Sequence, residues 1–234
     1  MPNIIAHWPA PKHINALTTS IESNNLSLTV GDAERDVHAN RQALYTQLGF
    51  TSEPAWLTQT HSNHCVVVED DSNRTADAAI TRLATQPLVI LTADCLPILL
   101  CNTAGTEIAA IHAGWRGLLH GIVQQTLATL HAPANTLLAW IGPAICQACY
   151  ETSPDVKQQF IDRYPFAAQA FNGRFANLPL LADLMLRSQN VSAVYHANVC
   201  TYEQNTTCYS YRRTAQTGRM GSFIWFNNTK DRAL

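Results

Sequence analysis

Two strand-like runs are joined by the stretch Thr92-Ala93-Asp94-Cys95-Leu96-Pro97, which is followed closely by Ile111-His112-Ala113-Gly114-Trp115-Arg116-Gly117. Apolar residues typical of buried strands flank Cys95, and a second apolar run ends near His112. The pattern therefore predicts a thiol and an imidazole at neighbouring strand ends. Segments that connect buried strands often carry binding and catalytic residues, so we expect a functional site at these strand ends.

His61 extends this pair to a possible set of metal ligands. It lies in the polar segment Gln59-Thr60-His61-Ser62, and if that segment folds against the strand ends, one Cys and two His converge. Thiolate sulfur and imidazole nitrogen both bind zinc, and three protein ligands leave a fourth position open, as in catalytic zinc sites. The spacing alone leaves two other interpretations open: Cys95 as a small core residue, or as a nucleophile activated by His112.

Composition limits the class of protein. With 234 residues, of which 47% are hydrophobic, the chain can bury a substantial core, and we expect one domain over residues 1–234. The net charge of −2 and the scattered Lys and Arg residues argue against a nucleic-acid partner. The sequence has no signal-peptide pattern and no apolar run of the roughly 20 residues that a membrane span needs. We expect a soluble cytoplasmic protein whose seven cysteines are free thiols or metal ligands.

Strand and helix periods are interleaved along the chain and predict an α/β (α+β) fold of layered mixed sheets flanked by helices. A predicted strand over residues 26–30 precedes a helix that Asp32 caps and Gly49 ends. The other predicted strands cover residues 55–57, 65–68, 88–91, 98–100, 107–111, 137–141, 193–195 and 223–226. The other predicted helices cover residues 118–130, 154–164 and 180–189.

Two further motifs carry chemistry-bearing side chains. The run Tyr211-Arg212-Arg213 is suited to hold a phosphate or carboxylate by bidentate hydrogen bonds, or it supplies two ordinary surface arginines. The run Cys146-Gln147-Ala148-Cys149 has the spacing of a redox motif. It follows Gly142-Pro143 in a predicted loop and lacks the strand-to-helix setting of thioredoxin-like sites. We therefore interpret the proximity of these two cysteines as incidental.

Ordered motifs over nearly the whole chain resemble the YfiH family, also called the laccase-domain or multicopper polyphenol oxidase family. That family is associated with purine nucleoside phosphorylase activity and with a peptidoglycan editing role. The resemblance rests on these blocks: Ser27-Leu28-Thr29-Val30-Gly31-Asp32, Asn40-Arg41, Trp56-Leu57-Thr58-Gln59-Thr60-His61, Ala76-Asp77-Ala78, Leu91-Thr92-Ala93-Asp94-Cys95-Leu96-Pro97, His112-Ala113-Gly114-Trp115-Arg116-Gly117, Ile141-Gly142-Pro143-Ala144-Ile145, Cys149-Tyr150-Glu151, Cys200-Thr201-Tyr202, Ser210-Tyr211-Arg212-Arg213 and Thr217-Gly218-Arg219-Met220.

The resemblance implies that His61, Cys95 and His112 bind zinc. It implies phosphorolysis of adenosine, inosine and S-methyl-5'-thioadenosine to the free base and ribose 1-phosphate, together with adenosine deaminase activity. Cys95, His112 and Asp94 are then the candidate catalytic residues, and Glu151 is a second candidate acid or base. The residues that it suggests for binding the nucleoside or the phosphate are Asn40, Arg41, Arg116, Tyr211, Arg212 and Arg213.

The chain departs from the family pattern at two points. Ser62 follows His61 where the family usually has Gly, and Asn177-Leu178-Pro179 replaces a segment that is usually of the Asp-Leu-Trp type. The second change removes an acidic or aromatic contact, so the resemblance leaves the preferred substrate open.

Three alternatives to this function stay open. The first is a metal-free hydrolase that uses Cys95 and His112. The second is a copper phenol oxidase, because copper also accepts a His-His-Cys set, although Met185 and Met220, as weak axial ligands, lie far from the set in sequence. The third is a non-enzymatic editing factor that binds a nucleotide-linked cell-wall precursor. The sequence does not determine the oligomeric state.

Overall fold

The structure is a computed structural model that describes residues 2–191 and 193–227. Strands and helices are interleaved along the chain. Within those residues the strands are β1 (Ile4–Ile5), β2 (Ile14–Thr18), β3 (Cys65–Val67), β4 (Ala78–Thr81), β5 (Leu88–Thr92), β6 (Leu96–Asn102), β7 (Ile108–Ala113), β8 (Leu137–Ile141), β9 (Phe171–Asn172), β10 (Phe175–Ala176), β11 (Ala193–His196) and β12 (Met220–Phe226). The α-helices are α1 (Glu34–Leu48), α2 (Trp115–His120), α3 (Ile122–Thr129), α4 (Pro154–Arg163) and α5 (Leu178–Ser188).

Two main sheets organise the strands. The larger has the order β11-β8-β6-β7-β4-β3, and the smaller has the order β1-β2-β12-β5. In the larger sheet β3 pairs with β4 and β8 with β11 in parallel, whereas its other pairs are antiparallel. Strands β9 and β10 form a separate small hairpin. This is the mixed α/β (α+β) architecture that the sequence predicts.

The core shows four layers. Because successive side chains of a strand point to opposite faces, Ile98 and Leu100 of β6 pack toward α2 to α5, whereas Leu99 and Cys101 pack toward the smaller sheet. The outer face of the smaller sheet packs against α1 through residues such as Phe223. The larger sheet is thus buried on both faces, which explains why its strands read as nearly continuous apolar runs.

Residues 26–30 do not form the predicted strand. Asn25 accepts a hydrogen bond from the backbone N–H of Ser27 at 3.0 Å, and this local turn competes with strand pairing. The carbonyl of Leu26 accepts hydrogen bonds from the Arg41 side chain at 2.9 and 2.7 Å instead of joining a ladder. The predicted Asp32 cap is also wrong, since the N-cap of α1 is Ala33. Gly49 does end this helix, in a left-handed conformation.

The helix predicted over residues 118–130 is two helices. Gly121 has a φ of 89°, so it ends α2 and starts α3. Residues 55–57 contribute only a single bridge, between Ala55 and Leu88. The sequence analysis also missed β1, β2 and β4, as well as β9 and β10 of the small hairpin. No helix among the described residues combines the length and the apolar character that a bilayer crossing requires.

Candidate metal and substrate site

Strands β6 and β7 set Cys95 and His112 side by side. Their antiparallel register pairs Leu96 with Ala113 and Pro97 with His112. Cys95 directly precedes β6 in the short connection from β5, so its thiol emerges at the sheet end where the buried His112 ring lies. The sequence prediction that these two residues meet at strand ends matches this arrangement.

The loop before β3 brings His61 to the same point. His61 has a left-handed φ of 61°, and its Nε2 atom lies 3.7 Å from the Cys95 Sγ atom. Its ring centroid is 4.7 Å from that of His112. The candidate ligand atoms of His61, Cys95 and His112, here called the triad, all lie within 4.8 Å of one another. Gly114 leaves room for the triad, because an added Cβ atom would stand 2.9 Å from the His61 ring.

Asp77, which is fully buried directly before β4, organises the triad. Its carboxylate accepts hydrogen bonds from the backbone N–H groups of Thr60, His61 and Ser62 at 3.1, 3.0 and 2.6 Å and from the Ser62 hydroxyl at 2.7 Å. It also lies 2.7 Å from His112 Nδ1. A hydrogen bond from Nδ1–H to a carboxylate leaves Nε2 free as a metal ligand. One carboxylate therefore holds two segments of the triad in place.

These contacts set the charges of the site. Burial alone would raise the pKa of Asp77, but hydrogen bonds from His112 and Ser62 hold that pKa well below its usual range. Burial disfavours the charged form of His112, yet its hydrogen bonds to Asp77 and Cys95 raise its pKa to about 9. Burial would likewise raise the pKa of Cys95, but the two histidines lower it to about 6. In the metal-free site these contacts favour the thiolate of Cys95 together with the imidazolium of His112.

The triad lines a cavity of about 720 Å³, a volume typical of small-molecule sites. Its wall combines apolar surfaces with cationic side chains. Besides the triad, the wall contains Ser27, Leu28, Thr29, Arg41, Trp56, Leu57, Thr58, Gln59, Leu91, Thr92, Ala93, Asp94, Trp115, Arg116, Ile145, Tyr150, Leu178, Tyr211, Arg212 and Arg219. The cavity is therefore suited to a ligand with an apolar ring and an anionic group.

The structure separates the predicted binding residues into two groups. Asn40 and Arg213 are absent from the described cavity wall. Asn40 donates a hydrogen bond to the Asn25 carbonyl at 3.0 Å, and Arg213 donates to three backbone carbonyls of residues 201–208. Both hold loops together. The predicted residues that do line the cavity are Arg41, Arg116, Tyr211 and Arg212.

Asp94 lines the cavity, but its carboxylate is fully engaged. One oxygen accepts a hydrogen bond from the Thr201 hydroxyl at 2.6 Å. The other accepts from the Ser210 hydroxyl at 3.0 Å and from the backbone N–H of Arg212 at 2.6 Å. This geometry favours a role in positioning the loop that carries Arg212. The other candidate acid, Glu151, forms an ion pair with Arg174 and is absent from the described cavity wall.

Sequence reasoning did not single out Asp77, Trp56 or Arg219. Arg41 lies 3.5 Å above the centroid of Trp56, so these two side chains form one wall element. Arg219 follows the loop over residues 210–218, and burial lowers its pKa. The sequence contains one indication of a role for Asp77. It lies between alanines at the start of an apolar run, where burial of an unpaired carboxylate would cost free energy.

The described cavity wall contains no methionine that could serve as a copper ligand. Met185 is part of the core between α5 and the larger sheet, and Met220 is fully buried in β12. A weak axial thioether of the kind found in blue-copper sites is therefore not provided here.

Comparisons with known proteins find relatives that align with nearly the whole chain. The family model for multi-copper polyphenol oxidoreductase laccases matches residues 11–227. A Haemophilus influenzae protein named purine nucleoside phosphorylase is 37% identical, with 97% of this chain and 100% of that protein aligned. An Escherichia coli K12 protein named purine nucleoside phosphorylase YfiH is 35% identical, with 95% and 98% aligned. The crystal structure of a Neisseria meningitidis protein superposes with a TM-score of 0.91 at 37% identity, covering 97% of this chain and 100% of that one.

Proposed function

This chain belongs to the multi-copper polyphenol oxidoreductase laccase family, and we propose that it is a zinc-dependent purine nucleoside phosphorylase. Its substrates are adenosine, inosine and S-methyl-5'-thioadenosine, with adenosine deamination as a second activity. The printed names of the Haemophilus and Escherichia relatives support the phosphorylase assignment. The observation that carries it is the triad in the wall of a cavity that also holds four arginines.

The donor set of the triad fits zinc. It offers one sulfur and two imidazole nitrogens on a buried framework, and the carboxylate of Asp77 orients the His112 ring with Nε2 toward Cys95. When bound by His61, Cys95 and His112, zinc would supply a Lewis acid next to the cavity. Copper also accepts this donor set, so metal quantification is part of the test.

The arginines fit the phosphate of the proposed reaction. Arg116 is exposed in the cavity wall and lies 4.6 Å from the centroid of the Trp115 ring. In phosphorolysis an oxygen of phosphate forms a bond to the anomeric carbon of ribose while the bond from that carbon to the purine nitrogen breaks. The departing base takes up the negative charge or a proton. Guanidinium groups hold the phosphate in line and neutralise its charge, which lowers the barrier by positioning and electrostatics.

Product analysis tests this function. The purified, metal-quantified protein is incubated with adenosine, with and without inorganic phosphate, and the bases and nucleosides are separated by chromatography. Adenine that forms only with phosphate supports the phosphorylase, and inosine that forms without phosphate supports the deaminase. A zinc-loaded sample that yields neither product would overturn both activities for this nucleoside and favour a binding or editing factor.

A cysteine variant tests the role of the triad. Cys95→Ala removes the thiol that both histidines contact, so we expect loss of zinc from the triad and loss of turnover together. Cys65→Ala is the matched control, because Cys65 is a half-buried thiol of β3 outside the described cavity wall. Turnover by Cys95→Ala without zinc would contradict a metal-dependent site.

One observation favours a second candidate function, a metal-free cysteine hydrolase. The lowered pKa of Cys95, about 6, and the raised pKa of His112, about 9, describe a nucleophile paired with a general base or acid. Chelator separates the two candidates. A hydrolase of this kind keeps its activity after metal removal and loses it on thiol alkylation, and substrate protects it, whereas the phosphorylase loses activity with the metal.

A further inference from the structure

A second group of metal-ligating side chains lies outside the triad. Cys146, Cys149, Cys200 and Glu203, here called the thiol cluster, place their candidate ligand atoms within 4.8 Å of one another. The Glu203 Oε1 atom is 3.8 Å from the sulfur of Cys146 and 3.8 Å from that of Cys149. The geometry points to a second zinc site, in which three thiolates and one carboxylate hold a structural ion.

The spacing of the thiol cluster suits a tetrahedral ion. With Zn–S near 2.3 Å and Zn–O near 2.1 Å, a sulfur and an oxygen on the same ion lie about 3.6 Å apart, and two sulfurs about 3.8 Å apart. The two Glu203 distances differ from the first value by only a few tenths of an ångström. The other separations, all within 4.8 Å, need to shorten by about 1 Å at most to match the tetrahedral values.

The backbone of the thiol cluster resembles two facing metal knuckles. Cys146 and Cys149 flank a tight 3-10 turn, closed by a hydrogen bond from the Cys149 N–H to the Cys146 carbonyl at 3.1 Å. Cys200 and Glu203 have the same spacing across the turn at residues 201–203. Two pairs of ligands, each with two residues between its members, have the spacing of structural zinc sites, with a carboxylate here in place of the fourth Cys or His.

One backbone hydrogen bond within the thiol cluster favours negatively charged sulfur at Cys200. The backbone N–H of Cys146 points at the Cys200 sulfur at 3.3 Å. The Arg213 guanidinium donates to the carbonyls of Thr201 and Tyr202 at 3.0 and 2.8 Å, next to two of the ligands. Hydrogen bonds and positive charge near the ligands stabilise a metal site with excess negative charge.

The thiol cluster joins two segments that reach the cavity. One segment continues from Cys149 to Tyr150, and the other continues from Cys200 to Tyr211 and Arg212. Tyr150, Tyr211 and Arg212 line the cavity. Among the described residues these two segments are joined by a parallel bridge from Ala144 to Cys200 and by the Arg212 guanidinium, which donates to the Glu151 carbonyl at 3.1 Å. An ion in the thiol cluster would therefore clamp this wall of the cavity, which is a structural role distinct from that of the triad.

Metal binding in a Cys95→Ala background tests the proposal apart from any catalytic activity. That variant lacks the triad thiol, so we expect about one zinc ion per chain in it and about two in the unmodified protein. With Co²⁺ as probe, the sulfur-to-metal charge-transfer absorption of Cys95→Ala should have the intensity of three thiolates. Absence of Zn²⁺ and Co²⁺ binding by a folded Cys95→Ala protein would overturn the second site.

Further substitutions in the same background locate the ion. Adding Cys149→Ser should lower the charge-transfer intensity by about one third, and adding Glu203→Ala, which changes an exposed side chain, should weaken metal affinity by about tenfold or more. Adding Cys65→Ala should change neither. Equal metal binding by all these variants would show that the ion lies elsewhere. A disulfide between Cys146 and Cys149 in anaerobically purified protein would overturn the metal site and identify the two cysteines as a redox pair.

Hydrogen exchange tests the clamping role. In Cys149→Ser with the triad intact, we expect faster amide exchange at residues 144–151 and 200–213 than in the unmodified protein, and unchanged exchange in β6 and β7. Unchanged exchange in the two segments, together with loss of the ion, would show that the ion does not hold the wall.

Discussion

The Asp77 carboxylate lies 2.7 Å from Nδ1 of His112 and also accepts three backbone N–H groups of the segment that carries His61. This single buried side chain couples two proposed ligands from distant parts of the chain. The position of His61 therefore depends on a residue that contacts no substrate in the proposed mechanism.

Asp77→Asn should weaken zinc binding by about 10- to 100-fold, the range found when carboxylates behind metal-bound histidines are removed. The amide has nearly the same size, but it neither fixes the His112 tautomer nor accepts all the N–H groups of residues 60–62. Competition with a chromophoric chelator measures the affinity.

Asp70→Asn is the control for this variant, because Asp70 is an exposed carboxylate in a nearby turn. Its zinc affinity should equal that of the unmodified protein. Equal affinity in Asp77→Asn would show that the histidines hold their geometry without Asp77.

The metal-free protein should show an unusually reactive thiol. Because the pKa of Cys95 is lowered from 9.0 to about 6, its thiolate forms as the pH rises through about 6 and is lost below it. Alkylation of Cys95 by iodoacetamide should therefore rise with pH around 6 and level off before pH 8. The pKa of Cys101, raised to about 12 by burial, keeps that thiol unreactive over the same range.

Peptide mass spectrometry separates the two cysteines in this experiment. Added zinc should protect Cys95 throughout the pH range. A midpoint near 9 for Cys95 would contradict the contacts of its sulfur with His61 and His112.

Arg116→Ala should raise the KM for phosphate more than the KM for the nucleoside. Loss of a charged hydrogen bond costs about 1.5 to 3 kcal/mol, which corresponds to at least a tenfold change. Arg163→Ala is the matched control, because Arg163 also stacks on an aromatic ring, at 5.6 Å from the Tyr164 centroid, but is absent from the described cavity wall. Equal effects of the two substitutions on phosphate KM would remove Arg116 from the phosphate site.

Five of the six strands of the larger sheet could be predicted, because burial on both faces leaves a continuous apolar signal, whereas β4 was missed although it is also buried. Residues 137–141, for example, form β8 with the predicted bounds. The strand predicted over residues 26–30 is wrong, because an alternating pattern resembles a strand even where the Ser27 N–H donates to the Asn25 side chain and forms a turn.

Only part of the candidate site could be predicted from the sequence. Strand periodicity indicated where Cys95 and His112 lie, whereas the role of Asp77 comes from a tertiary contact that local sequence does not show. The sequence likewise offers no reason to connect Cys146 and Cys149 with the rest of the thiol cluster, so from the sequence alone their proximity is interpreted as incidental. Cys200 and Glu203 reach Cys146 only through the pairing of two loops, and such pairing leaves no local pattern in the sequence.

Asp94→Asn distinguishes positioning from acid–base chemistry at the cavity wall. Both carboxylate oxygens accept hydrogen bonds, from Thr201 on one side and from Ser210 and Arg212 on the other, so an amide NH₂ on either side cannot accept the hydrogen bonds made there. We expect a loss of stability of about 1 to 3 kcal/mol, measured by denaturant unfolding, and a lower kcat. If Asp94 only positions Arg212, the pH profile of the remaining activity keeps its shape.

Thr201→Val isolates one of these hydrogen bonds. Because Thr201 and Asp94 are in direct contact, the stability losses of Thr201→Val and Asp94→Asn should add to more than the loss in the double variant. Strict additivity would show that the 2.6 Å contact contributes little. Disappearance of one limb of the pH profile in Asp94→Asn, with stability unchanged, would instead make Asp94 the acid or base of the reaction.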